Sequence, residues 1–356
     1  MRHCTCIATL NLATTLLLMA PAISRADTVY VTAGAWMGDI FQIAPDGTRT
    51  VFVGFHTYSS EGVSGIAVDG SGNVYAASYY GNTITRYSPT GVGTSFANTG
   101  IAYPQGITFD SAGNLYVAEY NANKIGRYTP DGTRTEFAHD AGGGSTLYGP
   151  QDVAFDAAGN LFVANWGNSI VKFAPNGTSS IFATAGLNHP GGLAFDAFGN
   201  LFVSNTGNNT ILKYSPGGQV SVFASAGLNG PKDLAFDSSG NLYVVDSGNY
   251  AIDKFTPAGV KSILATTGTE APWFIAIQPG LQVPEPSAAT LLVLGSMSLA
   301  FTARKASNRT KAEQGGCTEP GDSVSVAFRA SLARSVFFYM SAPTSPRRNE
   351  SPAGYN

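Results

Sequence analysis

The stretch Gly113-Asn114-Leu115-Tyr116-Val117-Ala118-Glu119-Tyr120, GNLYVAEY, decides the fold because the chain writes it five times. GNVYAASY begins at Gly72, GNLFVANW at Gly159, GNLFVSNT at Gly199 and GNLYVVDS at Gly240. The asparagines Asn73, Asn114, Asn160, Asn200 and Asn241 are 41, 46, 40 and 41 residues apart. A period near 40 is the mark of a repeat architecture. The longest gap holds a glycine-rich insertion, HDAGGGSTLYG, at 139–149.

Each repeat carries four short alternating runs. Around Asn200 they are GLAFD (192–196), NLFVSN (200–205), ILKYS (211–215) and VSVFA (220–224). Period-two alternation with β-branched and aromatic residues predicts strands. The intervening Asp-Ala-Phe-Gly-Asn, Gly-Asn-Asn and Pro-Gly-Gly predict turns. Four strands per 40-residue repeat make a propeller blade.

Five inner strands end in Asp69, Asp110, Asp156, Asp196 and Asp237. A sixth, Pro272 to Ile277, has no strands after it, whereas TVYVTA (28–33), IFQIA (40–44) and TVFVG (50–54) have no inner strand before them. Joining the two fragments completes a sixth blade. The expectation is therefore an all-β, six-bladed β-propeller with four antiparallel strands per blade. Pairing of its N- and C-terminal strands would close the ring and leave no long sheet edge.

The run PQGITFDSAGNLYVAEYNANKIGRYTPDGTRTEFA (104–138) resembles an NHL-type repeat. It is similar to blades of the virginiamycin B lyase family and, more distantly, of the regucalcin–gluconolactonase family. The likeness spans about 250 residues, nearly the whole body. It implies the propeller fold, which hosts many functions.

Residues 27–280 hold 10 Lys and Arg against 18 Asp and Glu, a net −8, while 281–356 hold 8 against 5, a net +3. An acidic body lacks the basic face that phosphate binding needs, so nucleic acid is not an expected partner. The cysteines, Cys4, Cys6 and Cys317, all lie outside the body, which has no disulfide framework. A monomer is expected.

The two ends read as addresses. Residues 1–26 carry Arg2 and His3, an apolar run from Ile7 to Ala20, and Ser24-Arg25-Ala26, as in a cleaved signal peptide. Residues 283–305 carry Pro284, Glu285 and Pro286, an apolar run from Ala288 to Ala303, and Arg304-Lys305. This tripartite segment resembles the PEP-CTERM sorting signal. The resemblance implies export, transient inner-membrane anchoring through a hydrophobic helix, an exosortase-type sorting enzyme as partner, and a cell-envelope or extracellular destination. Such signals normally end soon after the basic cluster, whereas here a polar tail, 306–356, follows and reads as disordered.

Residues shared by the blades report scaffold. Asp69, Asp110, Asp156, Asp196 and Asp237 precede the tight Gly-Asn turn and are expected to accept its backbone N–H groups. Tyr116, Phe162, Phe202 and Tyr243 are expected in the core. Function should lie where blades differ. One ring of differing residues follows each inner-strand proline or its equivalent: Ser64, Gln105, Gln151, Gly191, Lys232 and Trp273, with Asp152 and Asp233 one residue on. The other closes the second strands: Ala33, Ser78, Glu119, Asn165, Asn205 and Asp246, beside Tyr79, Tyr80, Tyr120 and Trp166, with Trp36 in a nearby loop. Polar groups among aromatics at a concave mouth suit a carbohydrate or protein ligand.

The competing class is an enzyme. The regucalcin-like resemblance implies Asn and Asp ligands for a divalent metal in this neighbourhood, yet the first ring holds no carboxylate and a lysine. Asp152 and Asp233 could form a site, or Asp233 could pair with Lys232. The virginiamycin-type resemblance implies a His with a carboxylate. The body's histidines, His56, His139 and His189, fall in loops of three different blades, share no repeat position, and have no Glu that the sequence pattern places alongside. The reading therefore favours a non-enzymatic binding module without a cofactor, with a divalent-cation lactonase or a lyase as the alternative.

Overall fold

The computed structural model describes residues 27–34, 38–54, 62–139 and 147–280. Trp36, His56, the leader, the sorting segment and the tail lie outside the described residues.

Among the described residues twenty-four strands form six sheets of four. The closing blade supplies β1 (Thr28–Ala33), β2 (Asp39–Ile43) and β3 (Arg49–Val53). Blade one follows with β4 (Val63–Val68), β5 (Val74–Ser78), β6 (Thr83–Tyr87) and β7 (Gly93–Ala97). Blade two has β8 (Pro104–Phe109), β9 (Leu115–Glu119), β10 (Lys124–Tyr128) and β11 (Arg134–His139). Blade three has β12 (Pro150–Phe155), β13 (Leu161–Asn165), β14 (Ser169–Phe173) and β15 (Ser179–Ala183). Blade four has β16 (Pro190–Phe195), β17 (Leu201–Asn205), β18 (Thr210–Tyr214) and β19 (Val220–Ala224). Blade five has β20 (Pro231–Phe236), β21 (Leu242–Asp246), β22 (Ala251–Phe255) and β23 (Lys261–Thr266). The last strand, β24 (Pro272–Gln278), pairs with β1 and gives the closing blade the order β24-β1-β2-β3. The expected architecture and its closure are both present.

The five Asp-Gly-Asn turns fold as their spacing predicts. Asp196 Oδ1 accepts the N–H groups of Phe198 and Asn200 at 2.9 and 2.8 Å, and Asp196 Oδ2 accepts the Asn200 amide at 2.7 Å. Asp69, Asp110, Asp156 and Asp237 repeat the pattern. The glycine before each Asn sits at positive φ, +78° at Gly199, which only glycine adopts without strain.

Packing occurs between blades. Each of the six apolar clusters joins two neighbouring sheets; one combines Phe162 and Ile170 of blade three with Leu193, Leu201 and Tyr214 of blade four. The second-strand aromatic is the common bridge. Phe202 meets Phe223 of its own blade and Phe236 of the next, both at 5.0 Å and edge-to-face. Tyr75, Tyr116 and Phe162 make the same pair of contacts. Each such pair adds roughly 0.5–1.5 kcal/mol beyond the area it buries. Burial falls outward: β17 is buried throughout, while β19 is mostly exposed. Among the described residues no helix is long and apolar enough to cross a membrane.

Candidate functional site at the channel mouth

The inner strands share an irregularity that builds the site. Pro231 pairs with Asp246 and Leu234 with Val244, so Lys232 and Asp233 together oppose the single residue Val245. This is a β-bulge, which re-aims side chains out of the regular alternation. Register shifts fall at the same place on the other inner strands. The first bulged residue lines the mouth and the second lines the channel beneath it.

The first ring is brought together. Gln105, Gln151, Gly191, Lys232 and Trp273, with Phe274, enclose a small hollow of about 30 Å³. Beside it, Gly62, Val63, Ser64, Tyr79, Tyr80, Gln105 and Trp273 enclose a larger one of about 260 Å³. Gln105 and Trp273 belong to both. The Lys232 ammonium lies 5.1 Å from the centre of the Trp273 ring. Burial pushes its pKa below the usual lysine value. Among the described residues Lys232 has no ion pair, and the Trp273 indole N–H is buried without an acceptor. The Ser64 hydroxyl donates to the Pro104 carbonyl at 2.6 Å.

Blade four holds the Lys232 bulge in place. The Ser204 hydroxyl donates to the Lys232 carbonyl at 2.6 Å and accepts the Gly192 N–H at 2.6 Å. The Thr206 hydroxyl donates to the Pro231 carbonyl at 2.6 Å. A Cβ on Gly191 would overlap the Lys232 carbonyl oxygen, so this close approach of two strands requires glycine.

Asp152 and Asp233 sit one layer down. They line a channel cavity of about 280 Å³ with Ile66, Ile107, Leu193 and Ile275 among its walls. Asp152 Oδ2 accepts the Leu193 N–H at 2.8 Å. Asp233 accepts the N–H groups of Leu234 and Ile275 at 2.8 and 2.9 Å. Burial pushes the Asp152 carboxyl up to about 7. Burial, then the neighbouring Asp152 charge, pushes Asp233 well above the usual carboxylate range. The anticipated Lys232–Asp233 pair does not form, because the bulge sends adjacent side chains to different layers.

The second ring has a different role from the one its position suggested. Glu119, Asn165, Asn205 and Asp246 are all buried. Glu119 turns away from the mouth to meet Arg134 Nη2 of β11 at 2.7 Å, and burial pushes its carboxyl up. Asn205 Oδ1 accepts the Asn188 N–H at 2.6 Å. Asp246 Oδ1 accepts the Asn229 N–H at 2.7 Å, and Asn165 Oδ1 the Tyr148 N–H at 3.3 Å. Asn165, Asn205 and Asp246 thus tie down the loops that enter the inner strands. They are scaffold because a loop with buried N–H groups needs acceptors.

Their aromatic neighbours do face the rim. Tyr79 contacts Tyr80 at 4.9 Å, Tyr103 at 5.2 Å and Tyr120 at 6.4 Å, giving a continuous tyrosine cluster. Further round, exposed Trp166 stacks on the His189 ring at 4.4 Å. His139 departs from the sequence reading. It ends outer strand β11 and lies 2.7 Å from Glu136, a His–carboxylate pair on the outermost strand of its blade.

Sequence reasoning missed Ser204, Thr206 and a set of asparagines that join blades. Asn82, Asn123, Asn168 and Asn209 each adopt positive φ, and each accepts through Oδ1 the N–H of Tyr103, Gly149, His189 or Gly230 at 2.7 Å. The signal was present in blades one to four as an Asn nine residues after the Gly-Asn asparagine, or eight in blade three, whereas blade five carries Tyr250 there.

The fold defines a ring-closed six-bladed propeller with a central channel. A family model matches residues 20–283, and the chain belongs to the virginiamycin B lyase family. No curated protein matches the sequence. The fold is similar to a chain of a nidogen/laminin complex, with TM-score 0.62 and 20% identity over 71% of this chain and 98% of that one. It is similar to virginiamycin B lyase from Staphylococcus aureus, with TM-score 0.51 and 20% identity over 70% and 79%. It is also similar to a gluconolactonase from Xanthomonas campestris, with TM-score 0.55 and 18% identity over 73% and 95%.

Proposed function

We propose that this chain is an exported cell-surface or extracellular-matrix propeller that binds a carbohydrate or protein ligand at its channel mouth without transforming it. One observation carries the reading. The mouth layer presents amides, a lysine and a tryptophan, while the carboxylates lie a layer deeper with oxygens bonded to backbone N–H groups. That layer suits recognition, and its residues do not fit a hard cation, which wants several free carboxylate or carbonyl oxygens. Among the described residues no group of three or more His, Cys, Asp or Glu side chains gathers to hold a metal. The signal peptide and the PEP-CTERM-like segment support export, transient membrane association and handling by an exosortase-type enzyme.

A second reading rests on Asp152 and Asp233. Two carboxylates lining a cavity, one with a pKa near neutrality, suit general acid–base work of the kind a lyase or lactonase needs. The test is direct. The full chain is incubated with quinupristin and with gluconolactone, and is separately probed on a glycan array. The binding reading expects no turnover and array signals lost in Trp273→Ala. Turnover that disappears in Asp152→Asn would establish the enzyme instead.

A further inference from the structure

We propose that the mouth anchors the carboxylate of an acidic sugar, a uronate-type residue of a polysaccharide, on Lys232. The inference rests on the binding reading above and specifies its ligand. Lys232 and Trp273 are neighbours in the mouth, and both are short of acceptors. The ammonium has three N–H donors and no anionic partner among the described residues, and the indole N–H is buried with nothing to donate to. The buried indole N–H without an acceptor is costly, and the half-buried ammonium beside it lacks an anionic partner, so a ligand that supplies acceptors there is favoured. A carboxylate does this best, because it is acceptor-only and charged. Asp233 cannot, since its carboxylate is committed to Leu234 and Ile275 in the layer below.

The remaining walls favour a sugar over a peptide. The adjoining hollow of about 260 Å³ is bounded by Tyr79, Tyr80 and Trp273, aromatic surfaces of the kind that pack against sugar C–H faces. Gln105 and Gln151 offer amides that pair with hydroxyls. The body carries a net −8, so diffuse attraction would not draw an anion to it. Preference for an acidic ligand must come from this one local cation. The clamp on the bulge by Ser204 and Thr206 keeps that cation in place before any ligand arrives.

The experiment measures binding of the full chain to oligogalacturonate and to the neutral galactose oligomer of equal length. The acidic oligomer should bind at least tenfold tighter. Lys232→Met, which keeps the stem packed on Trp273, should erase that difference, and Lys232→Arg should retain most of it. Gln105→Glu, which adds a carboxylate to the small hollow that Lys232 also lines, should also erase it. Thermal melting verifies that each variant is folded. Equal binding of acidic and neutral oligomers would overturn the acidic anchor and leave the binding reading intact. Failure of both oligomers with Lys232-dependent binding of a poly-glutamate peptide would replace the sugar by an acidic peptide. Failure of all three, or turnover of a lactone or depsipeptide, would overturn the binding reading as well.

Discussion

Asp152 and Asp233 show how one residue's surroundings set a property of the whole protein. Their folded-state pKa values lie above the ordinary carboxylate value, which means the folded state favours the protonated form. Their contribution to stability is therefore fully present below about pH 4. It is lost as pH rises through the folded value, about 7 for Asp152. Asp152→Asn keeps an acceptor for Leu193 and removes the charge. Its urea midpoint relative to the parent should improve from pH 5 to pH 8; an equal deficit at both pH values would refute the assignment. At this scale the sequence was legible where partners are local. The Asp196–Asn200 turn closes within five residues, so spacing alone reveals it. Glu119 was illegible because its partner, Arg134, arrives from a strand two places outward in the sheet. Lys232 lies beside Trp273 in the small hollow, and its separation from Asp233 depends on a bulge that leaves no mark in the hydrophobic pattern.

The inner strand is the element that converts scaffold into site. Alternation in GLAFD and its counterparts locates these strands to within two residues at their starts, since β16 begins at Pro190. Alternation cannot show that the residues after each proline leave the ladder, because a bulge is a property of two paired strands. Its energetic weight can be tested at Ser204, whose hydroxyl bonds both the Gly192 N–H and the Lys232 carbonyl. Ser204→Ala should cost about 1–3 kcal/mol in urea denaturation, because it leaves buried backbone groups short of partners. It should also weaken ligand binding at the mouth although Ser204 lines neither mouth hollow. Unchanged binding in a destabilised variant would show that the bulge holds its shape without blade four.

At the scale of the whole molecule, blade number and closure followed from counting orphan strands, and the ring bears this out. The lock was not foreseen. Asp27, at the start of the described chain, accepts the Gly280 N–H at one oxygen and the Ser238 N–H at the other, both at 2.6 Å. It joins the first residues of the ring to the segment just after its last strand and to blade five. Asp27→Ala should lower stability by about 1–2 kcal/mol, read from the urea midpoint; an unchanged midpoint would assign closure to the β24–β1 ladder alone. The pairing of β24 with β1 also fixes an order of events. During synthesis the first three strands emerge with an unfilled edge, and the strand that fills it is made some 240 residues later. Blades one to five can settle against one another as they appear. The first blade begun is thus the last one finished, and a chain halted before Pro272 would carry an open edge at one end of an otherwise assembled arc.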